Sequence, residues 1–202
     1  VSDPDLPEEI RAARGLDGTD AAAELYARWA ADYDRDVFER AGVIGTARIA
    51  ELLARHLPDP DVAVLDLGCG TGEAGVRLRE LGVRTIDGVD LSPEMLDVAR
   101  AKGVYRRLDV VDLTRPDAVP PGSYDATIAA GVFTTGHLGA AVVPALAAIT
   151  RPGGLLAWVV ADPLWVAVEP ALRVAAELVA VSHEPVRRGG APEARFVVGR
   201  CR

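Results

Sequence analysis

Lysine is all but missing from this chain: Lys102 is the single one among 22 basic residues, the rest being arginine. Together with the many alanines, this bias points to a high-GC coding sequence and carries no chemistry. Cysteine is scarce too. Cys69 and Cys201 are the only two, which excludes a disulfide framework or a cysteine metal cluster and makes a reducing cytoplasm the expected location. No apolar run approaches the ~20 residues that cross a bilayer, and no basic-then-apolar signal segment opens the sequence, so no membrane association is expected. Positive charge does not gather either. The net charge is −8, and Arg106-Arg107 and Arg187-Arg188 are isolated pairs that read as solvated. A nucleic-acid partner, which needs a basic track to neutralise phosphates, is therefore not expected. No set of His, Asp and Glu has the spacing of a Mg or Zn site, and no repeat or low-complexity tract is evident.

What is present centres on Val64-Leu65-Asp66-Leu67-Gly68-Cys69-Gly70-Thr71-Gly72. An apolar run ends in an acid, and glycine then follows at every second position. This reads as a buried parallel strand leaving its sheet through a loop almost without side chains, so that a ligand lies against backbone amides. The helix beginning near Glu73 or Ala74 turns its positive N-terminal dipole to the same place, which points to a nucleotide-like cofactor. Gly70-Thr71-Gly72-Glu73-Ala74-Gly75 also fits the G-x-G-x-x-G of dinucleotide sites, with Asp90 at about the right distance. Two features oppose that reading. Gly68 already follows the strand directly, and Asp66 would set a carboxylate beside a pyrophosphate. S-adenosylmethionine, which has no phosphate and carries an ammonium and a sulfonium, suits an acid there.

The segment Asp66 to Gly72 resembles the first motif of class I S-adenosylmethionine-dependent methyltransferases. The likeness continues through Gly88-Val89-Asp90-Leu91-Ser92-Pro93-Glu94-Met95-Leu96, Asp112, Tyr124-Asp125 to Val132-Phe133, and Arg151-Pro152-Gly153-Gly154-Leu155-Leu156, and covers roughly residues 20 to 202. The segment Leu25 to Asp34, together with Gly131 to Leu138, further resembles the methyltransferase-like group named after the Williams–Beuren syndrome region.

The expected fold is α/β: a Rossmann-like seven-stranded sheet, mostly parallel with an antiparallel C-terminal strand, and helices on both faces. Alternating elements carry this expectation: strand 62–67, helix 73–81, strand 83–89, helix 93–102, strand 105–111, strand 124–130, helix 140–150 and strand 154–161. A hairpin from 176–182 and 195–201 ends the sheet. Ahead of these, Leu25, Tyr26, Trp29 and Tyr33 follow helical spacing, as do Ile49, Leu52, Leu53 and His56 in a second helix closed by Pro58 and Pro60. Residues 1–45 are accordingly an N-terminal tail and helical lid, the first 19 loosely docked, and residues 46–202 an S-adenosylmethionine-binding domain.

The resemblance implies roles for particular residues. Asp66 holds the cofactor ammonium directly or through water, while the backbone of Gly68, Cys69 and Gly70 approaches the aminoacyl part. Cys69 itself reads as a small packed residue. Asp90 accepts both ribose hydroxyls, with Leu91 beside it, and Ser92 and Pro93 cap the next helix. Met95 lines the adenine pocket. Asp112 accepts from the adenine amino group, with Asp109 as the competing choice. The stretch from Ala129 to Gly131 brings a backbone carbonyl to the ammonium, and Phe133 shields the sulfonium side. Tyr33 touches the cofactor from a lid over residues 20–45, and the acceptor lies between that lid and the loop from Phe133 to His137. His137 is the candidate general base, since imidazole titrates near neutrality. Without an inserted substrate domain, a small-molecule acceptor is favoured over a protein or nucleic acid; a non-catalytic binding role is the other alternative. The element that is methylated and the oligomeric state are open.

Overall fold

The structure, a computed structural model, describes residues 6–13, 15–16 and 18–202. Five strands run parallel to one another: β1 (Ala63–Leu67), β2 (Thr85–Asp90), β3 (Arg107–Val110), β4 (Tyr124–Phe133) and β5 (Thr150–Ala161). Strands β6 (Ala176–Glu184) and β7 (Ala194–Cys201) form the hairpin, with β7 antiparallel to β5. Their order is β3-β2-β1-β4-β5-β7-β6. The chain thus winds one way from β1 to β3 and the other way from β4, so strand order reverses between β1 and β4. A crevice opens beyond the C-terminal ends of the strands at such a switch.

The period of two in the strands divides the core between the faces. Val64 and Ile86 join Ile49 and Leu53 on helix α3 (Gly45–His56) and Leu78 on α4 (Glu73–Glu80). Leu65 and Trp158 point the other way, into a cluster with Leu146 of α6 (Val143–Ala148) and Leu172 of α7 (Asp162–Ala175). Trp158 stacks on Phe133 with centroids 5.1 Å apart and donates to Thr127 Oγ1 at 3.2 Å, so its one polar atom is satisfied in the core. Helix α5 (Pro93–Ala101) is capped by Ser92, whose Oγ accepts the Met95 N–H at 3.2 Å, with Pro93 in the first turn.

Several boundaries differ from the expected ones. Helix α7 was not anticipated: Pro163 and Pro170 punctuate its sequence. The first sits in the opening turn, where no N–H is needed, and the second is accepted inside the helix although it removes one hydrogen bond. The helix expected over 140–150 divides into a 3₁₀ turn at Ala140–Val142 followed by α6. Arg106 is not merely solvated, because it makes a two-point pair with buried Asp87 at 3.0 and 2.6 Å.

The N-terminal segment packs closely. Helix α1 (Glu8–Ala13) is followed by α2 (Thr19–Trp29), then a π-helical turn at Arg35–Arg40. Leu6 is buried, and the backbone of Leu16 lies so near Gly136 that a Cβ there would stand 3.0 Å from the Leu16 carbonyl oxygen. Helix α1 between these points buries no residue, so residues 6–16, where described, touch the rest of the protein at points rather than along their length; residues 1–5, 14 and 17 lie outside the described set. Val43 bridges to Arg187, and the Ile44 N–H donates to the Val186 carbonyl at 2.8 Å, tying this segment to the β6–β7 turn. No described helix is long and apolar enough to cross a membrane.

Candidate active site

A cavity of about 230 Å³ occupies the crevice beyond β1, β2 and β4. Its floor starts at Gly68, where φ is +66° and a Cβ would strike Val132 Cγ1 at 2.2 Å, so the strand can turn out of the sheet here only as glycine. Gly70 follows at φ +52°, with no protein atom within 4 Å of where a Cβ would stand, leaving its backbone bare to the cavity. Its N–H donates to Asp90 Oδ2 at 2.8 Å, and the Ser92 N–H donates to Asp90 Oδ1 at 3.0 Å. Each oxygen spends one accepting position on the backbone and keeps another. Burial pushes the Asp90 carboxyl up, with those backbone bonds opposing the shift.

Asp66 takes a different position from the one expected. It does not line either cavity at this end of the sheet; it is 1 % exposed, and its Oδ2 accepts the Tyr105 hydroxyl at 2.6 Å. Tyr105 in turn accepts the Gly75 N–H at 3.1 Å, and a Cβ on Gly75 would collide with its ring at 2.3 Å. The third glycine of the G-x-G-x-x-G pattern thus makes room for a tyrosine that braces the first strand's acid. Burial, opposed by the Tyr105 hydrogen bond and aided by the Asp90 charge, raises Asp66 to about 7.

The remaining expected residues divide in the same manner. Leu91, Met95, Asp112 and Gly131 line the cavity. Ala129 and Cys69 do not: Ala129 is fully buried, and the Cys69 thiol packs beside Gly88, pushed up by burial. Of the two acids after β2, Asp109 is half exposed and paired with Arg107 at 2.9 Å, whereas Asp112 reaches the cavity and accepts the Thr114 N–H at 2.8 Å. Phe133 is in the core under Trp158.

Aromatic residues of the N-terminal segment form the roof. Tyr33 meets Trp29 edge to face at 4.6 Å, and both Tyr33 and Tyr26 line the cavity. Burial raises both phenols, so they stay protonated. Tyr26 Oη lies 2.7 Å from His137 Nε2, while His137 Nδ1 is 3.0 Å from Thr134 Oγ1 and 3.3 Å from the Thr135 carbonyl oxygen. This arrangement assigns the ring proton to Nδ1 and makes Nε2 the acceptor of the Tyr26 O–H. Burial lowers His137 from its ordinary 6.5, and its bond to Thr135 opposes the shift only in part. The roof is latched beside Tyr33: Asp34 accepts from Thr71 of the glycine loop and pairs with Lys102 Nζ at 2.6 Å.

A second cavity, of about 630 Å³, adjoins the first and runs toward the β6–β7 turn. Tyr26, Tyr33, Ala130, Gly131 and His137 belong to both, forming a common wall. Asp162, Arg187 and Glu193 belong to the second alone. Arg187, read from sequence as solvated, is only 18 % exposed at the side chain. Sequence reasoning missed it, and missed Tyr26 as the partner of His137, because neither stands in a motif; Tyr26 at least shares the helical stripe with Tyr33.

Residues 64–154 match a family described as "Methyltransferase domain". Human methyltransferase-like protein 27 is 37 % identical over 158 residues, which are 76 % of this chain and 63 % of that protein. A ribosomal protein L11 methyltransferase of Burkholderia vietnamiensis (strain G4 / LMG 22486) is 33 % identical over 112 residues, 55 % of this chain and 36 % of that one. The chain therefore spans less than two thirds of the length of these relatives. Among solved structures, Burkholderia thailandensis 1,6-didemethyltoxoflavin-N1-methyltransferase, with 1,6-didemethyltoxoflavin and S-adenosylhomocysteine bound, aligns with TM-score 0.66 at 20 % identity, covering 92 % of this chain and 93 % of that one. At that identity the likeness speaks for the fold.

Proposed function

We propose that this chain is a class I S-adenosylmethionine-dependent methyltransferase that methylates a small molecule held in the second cavity. The observation carrying this reading is the common wall: two adjoining cavities meet at Tyr26, Tyr33, Gly131 and His137. A donor in one and an acceptor in the other would react across it. The second cavity, at about 630 Å³, falls within the ~300–1,000 Å³ of small-molecule sites.

The first cavity fits S-adenosylmethionine. Asp90 has an accepting position left on each oxygen, suited to a ribose diol. The bare backbone of Gly70 and Gly131 suits the aminoacyl part, Met95 and Leu91 suit the purine, and Asp112 its amino group. Asp66 would act on the ammonium from behind the loop, through the field of its charge rather than by contact. When bound, the cofactor supplies a methyl carbon activated by a sulfonium, open to in-line displacement.

The chain's own part is to hold both reactants and exclude water, and orientation of this kind is worth up to ~7–11 kcal/mol. Residues 1–45 act as the lid and 46–202 as the cofactor-binding domain. Where the acceptor must lose a proton, Tyr26 Oη takes it while passing its own to His137 Nε2, which neutral imidazole allows. The test begins with calorimetry of S-adenosylhomocysteine binding. Isotope-labelled S-adenosylmethionine is then supplied with metabolite extracts and, separately, with ribosomal protein. Label in a small product supports the reading; label only in protein, or no binding of the cofactor product, overturns it.

A further inference from the structure

We propose that the acceptor is an uncharged aromatic molecule methylated on a ring hydroxyl, its apolar body in the second cavity and its hydroxyl at Tyr26 on the common wall. This rests on reading that cavity as the acceptor site. Trp29, Val37, Val43, Val159, Val186 and Ala194 come from distant parts of the chain and border this one space. Surface of that kind gains most from an occupant that is itself apolar.

The charged residues at the far end do not call for an ion. Arg187 Nε pairs with Glu193 Oε1 at 3.5 Å, and Asp162 Oδ1 pairs with Arg195 Nη1 at 3.3 Å. Two cations thus cancel two anions, and both carboxylate oxygens have almost no accessible surface, as do Nη1 of Arg187 and of Arg195. Near the common wall the titratable groups are neutral as well: burial holds the Tyr26 and Tyr33 phenols protonated and lowers His137. An acceptor bringing a carboxylate or an ammonium would leave water with no counter-charge to meet, or would break a pair and strand its other half.

The reactive end narrows the choice further. Tyr33 meets Trp29 edge to face at 4.6 Å and Tyr26 stacks on Trp29 at 6.2 Å, so the cavity beside the wall offers ring faces and edges suited to another ring. Tyr26 Oη, 2.7 Å from His137 Nε2, can take a proton only as it passes its own to the imidazole. An aryl hydroxyl, with a pKa of about 10 like tyrosine itself, matches that relay. An aliphatic amine arrives as a cation at neutral pH, and a thiol supplies its own thiolate without a relay. In the transfer the aryl oxygen yields its proton to Tyr26 Oη while Tyr26 yields its own to His137 Nε2. A lone pair of that oxygen forms the new C–O bond as the C–S bond breaks, its electron pair staying on sulfur. The products are an aryl methyl ether, S-adenosylhomocysteine and one proton, which His137 returns to solvent.

Four probes of one shape test this. They are 4-propylphenol, tyramine with an ammonium at the chain end, 3-(4-hydroxyphenyl)propionate with a carboxylate there, and 4-propylcyclohexanol, the saturated alcohol. Each is titrated by calorimetry into the full chain saturated with S-adenosylhomocysteine. The expected result is that 4-propylphenol binds about tenfold or more tighter than either charged probe, and about threefold or more tighter than the cyclohexanol. With isotope-labelled S-adenosylmethionine, 4-propylphenol should give labelled 4-propylanisole, and the cyclohexanol no labelled ether. Tyr26→Phe should slow that transfer while 4-propylphenol affinity stays within about threefold, a split that a merely structural tyrosine would not produce. Tighter binding of a charged probe, no binding of 4-propylphenol, or no labelled ether from it overturns the proposal. Failure to bind S-adenosylhomocysteine at all would instead strike the methyltransferase reading, so the two failures are separable. Should Tyr26→Phe not fold, His137→Gln removes the same relay and the comparison is made with it.

Discussion

The two cavities that share Tyr26 and His137 are built by opposite means. The first is made of strand ends and backbone: Gly68 and Gly70 at positive φ, an acid at the close of β2, and a helix cap directly behind it. Its polar groups are already committed, with Asp90 holding two backbone N–H groups. The second is made of side chains from distant parts of the chain, brought together where the segment before α3 meets the β6–β7 turn, and its charged groups answer one another, Arg187 with Glu193 at 3.5 Å and Arg195 with Asp162 at 3.3 Å. A site for a constant cofactor can be written into short local patterns. A site for a particular acceptor depends on which surfaces the fold happens to join, and can change without disturbing the first.

Removing residues 1–45 breaks the comparison most severely. It takes away the roof of both cavities, and turnover should be abolished while far-UV circular dichroism keeps the α/β signature. Loss of the fold would show that the segment is part of the domain core.

Asp90→Ala tests the committed side alone. Two charge-assisted hydrogen bonds to the ribose, roughly 1.5–3 kcal/mol each, should be lost, weakening S-adenosylhomocysteine by about 100-fold or more in calorimetry. Unchanged affinity in a folded variant would show that the ribose is held elsewhere.

Tyr26→Phe and His137→Gln address the common wall. With an acceptor that must lose a proton, kcat should fall by about 10²-fold, the lower end of what a positioned base contributes, with cofactor affinity held. Since burial lowers His137, the acid limb of the wild-type kcat profile should lie below pH 6.5 and disappear in His137→Gln. An unchanged profile in the variant would remove His137 from the chemistry.

The smallest effect concerns Asp66. Its carboxyl rises from the ordinary 3.8 to about 7 in the fold, so the native state binds the proton more tightly than the unfolded chain. That contribution to stability is complete below an ordinary carboxylate's range and is lost as pH rises toward 7. Denaturant midpoints should therefore drift downward across that window, and Asp66→Asn should flatten the drift. A cationic cofactor favours the ionised form, so its binding near pH 6.5 should release a fraction of a proton, seen in calorimetry as a dependence on the buffer's ionisation enthalpy.

How much of this was legible depends on how far apart the parts lie in sequence. The glycine loop, Asp90 and the Ser92 cap are readable because strand, turn and helix follow one another within a few residues, and each residue type answers a local need. The antiparallel ending is implied by the family resemblance those motifs carry, while the strand order is seen only in the structure. Asp66 shows the limit: its place at a strand end was correct, yet the tyrosine that occupies it comes from a position 39 residues away. Arg187 marks the limit more sharply. As one of two neighbouring arginines near glycines it has the look of a solvated turn, and only the bridge to Val43 turns it inward. Helix α7 was hidden by its prolines, which local propensity counts as breaks and the packed structure tolerates.

The near absence of lysine, unremarkable as chemistry, acquires a practical meaning from the latch. Lys102 is the one side chain an amine-directed reagent can acylate, and it is held against Asp34 where the roof meets the body of the protein. A mild acylating label, counted at Lys102 by peptide mass spectrometry so that the more reactive N-terminal amine is set aside, therefore reads one contact: its rate of uptake there follows how often the roof lifts, and a ligand that seals the roof should slow it. The molecule carries its own single-site gauge of opening, with no engineered residue needed.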